Sequence, residues 1–243
     1  AMKQPLIRLL AVSFAAFTIG HGTEVIVDQA DSEIFPAAWL TPQISPVAHP
    51  LPHSDQARCR ELIEKALTAY PAEVLAANLQ KVYVLSALQY RGVSTGGTNS
   101  RSIVYLVSNE KYSPVQFERN FHAEFSSILL RNHTRLFDPA AWQQHNPPDF
   151  VYRGSGVKAI KDKKASVRIN ADLHPDGFLH SYGTASIEED FNSFVTLLFL
   201  GDPALWSAIE AHPKIKAKAG LAAAFYQKIH PAFTPTFFLS RRR

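Results

Sequence analysis

The chain has 243 residues, 46 % of them hydrophobic and 19 % charged, with 25 lysines and arginines against 21 aspartates and glutamates, a net charge of +4. That composition excludes a disordered chain, and sixteen phenylalanines supply apolar mass for a sizeable core. A single cysteine, Cys59, excludes an intramolecular disulfide and any cysteine zinc cluster, so a metal would have to use His, Asp or Glu.

From the N-terminus, Lys3 and Arg8 precede an apolar run, Leu9 to Gly20, with Thr18 and Gly20 as small residues at a plausible cleavage point. This pattern is that of an export signal, which would place the protein in the periplasm or outside the cell. The run is too short to span a bilayer, and a packed strand or arm is the other reading of residues 2–20. Pro36, Pro42, Pro46, Pro50 and Pro52 then mark an extended arm without regular structure, so that residues 1–53 read as an N-terminal segment and arm and 54–243 as one domain.

Ser54 offers an N-cap for a helix carrying Leu62, Ile63, Ala66, Leu67 and Tyr70, which Pro71 ends. A second short helix carries Val74, Leu75 and Leu79. Val82–Leu88 and Ser102–Val107 read as strands, with a turn-rich linker, Gly92–Thr98, between them. The linker lacks the Gly-Lys-Ser/Thr of a phosphate-binding loop. Ser113-Pro114-Val115-Gln116 is a strong helix start, with a serine cap, proline first and glutamine third, and the helix should run to about Asn132. Residues 137–180 look irregular. Another capped helix begins at Ser186 and ends near Gly201, further helices occupy 203–211 and 215–229, and the chain closes on Phe233, Phe237 and Phe238. Much of the positive charge gathers in Lys158, Lys161, Lys163, Lys164 and Arg168 and in Arg241–Arg243. No aromatic residues interleave with it, which argues for solvated loops and against a nucleic-acid surface.

Two carboxylates fall on apolar helix faces. At about 100° per residue, Phe117, Phe121, Phe125 and Ile128 form one stripe, with Glu124 in its middle. A carboxylate there must be protonated, paired, or bound to a metal or ligand; Arg131 and Arg153 are the candidates for a structural pair. On the next capped helix Phe191, Phe194, Val195 and Leu198 define the apolar face, and Glu188 lies at its edge. Glu189 stands three residues after Ser186, where a capping-box glutamate belongs, and Asp190 suits the helix dipole.

The run Phe121-His122-Ala123-Glu124-Phe125-Ser126-Ser127 resembles the active-site helix of zinc metallopeptidases of the gluzincin kind, whose helix reads His-Glu-x-x-His. In those proteins a glutamate on a later helix completes the site, and Ile187-Glu188-Glu189-Asp190-Phe191 looks like that helix. The resemblance extends from about Tyr70 to the C-terminus. It implies an α+β, zincin-like fold, mainly helical with a small sheet, and a zinc-dependent hydrolase acting on a peptide or protein. Glu124 would be the general base, and His122, Glu188 and His180 the metal ligands. Aligned on Glu124, however, the two histidine positions hold Ala123 and Ser127, and neither residue is a zinc ligand of the usual kind. His122 is one position too early. The other reading is therefore a peptidase-fold binding or scaffold protein that holds no metal. A serine nucleophile at Ser126 and a glycosidase-like pair of Glu124 with Glu188 lack the turn and the cleft that such chemistry needs.

Overall fold

Two apolar runs dictate the centre of the molecule: Lys81–Tyr90 and Ile103–Val107 are too continuously hydrophobic to leave either face in water. A computed structural model describes residues 22–163 and 166–243, so the expectation for residues 2–20 lies outside the described residues. The chain is α+β, 53 % helix with a mixed six-stranded sheet. In chain order the strands are β1 (Glu24–Ile26), β2 (Val47–Pro50), β3 (Lys81–Tyr90), β4 (Val93–Ser94), β5 (Gly97–Asn99) and β6 (Ile103–Val107). The helices are α1 (His53–Leu67), α2 (Ala72–Asn78), α3 (Pro114–Asn132), α4 (Pro139–Gln143), α5 (Gly156–Lys161), α6 (Ile187–Leu200), α7 (Pro203–Ala211), α8 (Pro213–Ile229) and α9 (Pro235–Leu239).

The path through the sheet is β1-β3-β6-β5. β3 runs parallel to β6, Lys81 opposite Ile103, and parallel to β1, Glu24 opposite Lys81. β5 is antiparallel to β6, while β2 and β4 add antiparallel to the far end of β3. Period-two alternation sends Val82, Val84, Val104 and Leu106 into the main core, and Tyr83, Leu85, Tyr105 and Val107 to the other face. Ile26, Ile34 and Phe35 cover that second face. The proline-rich stretch is therefore not an irregular arm. It supplies β1 and β2, and its apolar residues close the outer side of the sheet. Pro50 is tolerated because it ends β2, where the register with β3 shifts.

Helix starts follow their local signals. Ser113 and Gln116 close a full capping box on α3. α1 begins one residue before Ser54, which is inside the helix, and Pro71 opens α2 after α1 has ended at Leu67. The stretch expected to be irregular, 137–180, contains α4 and α5. From Asp190 to Leu200 every residue of α6 is buried, so it is the central helix, packed against α3 on one side and α8 on another. Gly201 ends it with φ +63, and any Cβ there would collide with the Arg241 carbonyl, so this sharp corner into α7 requires glycine. Among the described residues no single helix is long and apolar enough to cross a membrane.

Candidate functional site

The N-terminal turn of α6, the middle of α3 and the edge strand β5 meet at a cluster of carboxyl groups. Glu124 projects from α3 toward β5, where the absent side chain of Gly97 leaves room: a Cβ on Gly97 would lie 3.0 Å from Glu124 Oε1. Asn99 Nδ2 donates to Glu124 Oε2 at 2.6 Å, and Asn99 Oδ1 accepts from Arg131 Nη2 at 2.7 Å. Arg131 is thus linked to Glu124 through an amide. Its Nη2 also approaches Glu188 Oε1, at 3.8 Å, with both side chains about half exposed.

Glu189 behaves differently from the expectation. Ser186 Oγ accepts from the Glu189 N–H at 3.2 Å, the first half of a capping box. The Glu189 carboxylate, however, accepts from Tyr182 OH at 2.9 Å and is acted on by the charge of Glu124. The start of α5 lies against it: a Cβ on Gly156 would overlap both Glu189 Oε1 and Tyr182 OH. Of the two glutamates Glu189 is the more enclosed, because residue 189 points inward under α5 while residue 188 turns out toward Arg131; the charge of each acts on the cluster, Glu188 on Glu124 and Glu124 on Glu189.

Burial raises Glu124 to about 7, Glu188 adding to the rise while the Asn99 bond opposes it. Burial, then the charge of Glu124, raises Glu189 to about 8. The Tyr182 hydroxyl is raised too, by burial and the Glu189 charge, so it remains a donor. Near neutral pH the cluster holds protons that isolated carboxylates would have lost.

His122 and His180 are directed elsewhere. His122 is fully buried on another side of α3, stacked on Phe199 at 5.2 Å, with Nδ1 2.8 Å from Tyr70 OH and Nε2 3.8 Å from Glu118. Burial lowers its pKa. His180 caps the turn Ser181–Thr184 by accepting from the Gly183 N–H at 3.2 Å, and burial lowers it to about 3. Among the described residues no three His, Cys, Asp or Glu side chains converge as a metal site. Ser127, at one histidine position of the motif, receives a hydrogen bond from Asn192 Nδ2 at 2.8 Å. The residues around Glu124 thus do not fit a zinc ion: the positions beside it offer a methyl and an engaged hydroxyl.

A second buried carboxylate, Asp190, has a larger part than favouring the helix dipole. Its Oδ2 accepts from Lys218 Nζ at 2.7 Å, Tyr152 OH at 2.8 Å and Trp142 Nε1 at 2.9 Å. Lys218 also donates to Gly177 O at 2.9 Å and lies 4.2 Å from the centre of the Phe178 ring. Burial works against both charges, raising Asp190 and lowering Lys218, while their direct contact and the extra donors work for them. The network ties residues 142, 152 and 177 to α6 and α8, and so holds the chain that carries α5.

Comparison of the chain with protein-family models, with characterised proteins and with solved structures returns no match.

Proposed function

We propose that this is a metallopeptidase-like protein of zincin-like fold that binds a peptide or protein ligand beside Glu124 without using zinc. The observation that carries the reading is the pair of residues flanking Glu124 on α3. Ala123 has no donor atom, and the Ser127 hydroxyl is held by Asn192. A His-Glu-x-x-His helix needs two imidazoles one turn apart on one face, and here both places are filled by small side chains. What the cluster retains is an array of carboxyls, an amide and a phenol. These groups accept and donate hydrogen bonds to a peptide backbone or receive a cationic side chain. An export signal within residues 2–20 would bring such a protein to its ligand in the periplasm or outside the cell.

Two measurements test this. Protein purified without chelator is assayed for metal, and zinc is titrated into wild type and into the double variant Ala123→His/Ser127→His. The expected results are substoichiometric zinc in the wild type, unaffected by His122→Ala, and new zinc binding in the double variant, where Glu124 lies between two restored ligands. One zinc per wild-type chain, lost with Glu124→Ala, would sink the metal-free reading. A double variant that folds and takes up no zinc would remove the support for a gluzincin-like helix.

A further inference from the structure

A hollow of about 480 Å³ opens where α2 and α3 end, lined by Ala77, Asn78, Arg101, Arg131, Asn132 and His133. Its volume is that of a small-ligand site, but its lining is polar and carries two guanidinium groups and no carboxylate. The polar wall is internally braced. Asn78 Oδ1 accepts from Asn132 Nδ2 and from His133 Nε2, each at 3.1 Å, and Asn132 Nδ2 also reaches Arg101 O at 3.5 Å. Arg131 is held in place by Ser100 O at 3.0 Å and Asn99 Oδ1 at 2.7 Å. Its contact with Glu188 is long, 3.8 Å, and half exposed.

Arginine at a helix end has an ordinary explanation, since positive charge offsets the negative end of the helix dipole. That covers Arg131, in the last turn of α3. It does not cover Arg101, which comes from the loop between β5 and β6 and whose guanidinium has no hydrogen bond or ion pair among the described residues. Both arginines are exposed at the hollow, and the planar fork of arginine matches the oxygens of a carboxylate or phosphate.

We infer that this hollow binds an oxyanion, a phosphate or carboxylate group, between Arg101 and Arg131. The inference does not depend on the reading of Glu124, although Arg131 touches both places.

Isothermal titration at fixed ionic strength, with three probes, tests it: inorganic phosphate, a short peptide with a free C-terminal carboxylate, and the same peptide amidated. Arg101→Ala is the decisive variant because its side chain has no partner to lose, so its melting temperature should equal that of the wild type. At least one anionic probe should bind, and Arg101→Ala should weaken it about tenfold, the size expected for loss of one charge-assisted contact. The exposed Arg168→Ala should leave binding unchanged. Phosphate binding alone indicates a phosphorylated ligand or free phosphate, and a preference for the free over the amidated peptide indicates a chain end. Three results overturn the inference: no anion binding by the wild type, equal effects of Arg101→Ala and Arg168→Ala, or a lowered melting temperature in Arg101→Ala with binding intact.

Discussion

Glu189 and Asp190 are neighbours on α6, both enclosed by the same strap of chain, yet their surroundings are opposite in kind. Asp190 meets a lysine, an indole N–H and a phenol, all converging on one oxygen. Glu189 meets one phenol and feels the charges of two further carboxyls, Glu124 and Glu188. The first arrangement compensates a buried charge through one oxygen, while Asp190 Oδ1 is buried with no hydrogen-bond partner among the described residues. The second gathers like charges. Folding alone gives no reason to place three carboxyls together, and sites that bind or react are where such uncompensated groups are found. Within one turn of helix, then, one carboxylate holds the fold together and the next belongs to the candidate site.

The largest expected effect breaks the compensated side. Lys218→Met leaves Asp190 buried without its cation, and loss of one partner of such a pair typically costs about 3–5 kcal/mol. Urea denaturation should show that loss in Lys218→Met. The double variant Asp190→Asn/Lys218→Met should lose less than the sum of the two single changes, because neutral asparagine no longer needs the lysine. Additive losses would mean that the two side chains do not act as a pair.

Much of this was open to reading in the chain. The caps at Ser113 and Ser186 mark α3 and α6 because the signals are local: a side-chain acceptor, a proline, an acidic first turn. The two central strands were visible as apolar runs. β1 and β2 were not, because strand pairing is a long-range choice and the prolines around them argue for coil. Lys218 was legible in principle. It falls on the stripe Ile215, Ala219, Ala222, Phe225 and Tyr226 of α8, and the wheel that singled out Glu124 singles it out as well. The inward turn of Glu189 was not legible, since the same Ser-x-x-Glu spacing writes both a capping box and an inward carboxylate. Tyr182 and α5 decide between them, and their position depends on tertiary packing. Asn99 was hidden likewise in a linker that reads only as turns.

A smaller effect is expected where α5 lies on the cluster. Gly156→Ala puts a methyl group where Glu189 Oε1 and Tyr182 OH are, and forced overpacking of this kind typically costs about 1–3 kcal/mol. Glu189→Ala should relieve part of that penalty in the double variant, measured by thermal denaturation, the Tyr182 hydroxyl accounting for the rest. Equal penalties in both backgrounds would assign the whole of it to Tyr182.

The finest distinction between the two carboxylate sites is their response to pH. Glu124 and Glu189 have folded-state pKa values raised from 4.5 to about 7 and about 8, chiefly by burial. A carboxyl with a raised pKa binds its proton more tightly in the folded chain than in the unfolded one. Its contribution to stability is therefore fully present below the unfolded value of 4.5 and is lost as pH rises through the folded value. The melting temperature should accordingly fall between about pH 5 and pH 8 against the background of the remaining groups. Glu124→Gln and Glu189→Gln should each flatten that fall, because glutamine keeps the acceptor oxygen for Asn99 or Tyr182 and carries no proton to lose. Asp190→Asn should lower the whole curve, because it removes the acceptor on which Lys218, Tyr152 and Trp142 converge. Melting curves of all three variants across that range separate the possibilities, and a fall that persists unchanged in both glutamine variants would show that the cluster does not hold its protons as its geometry requires.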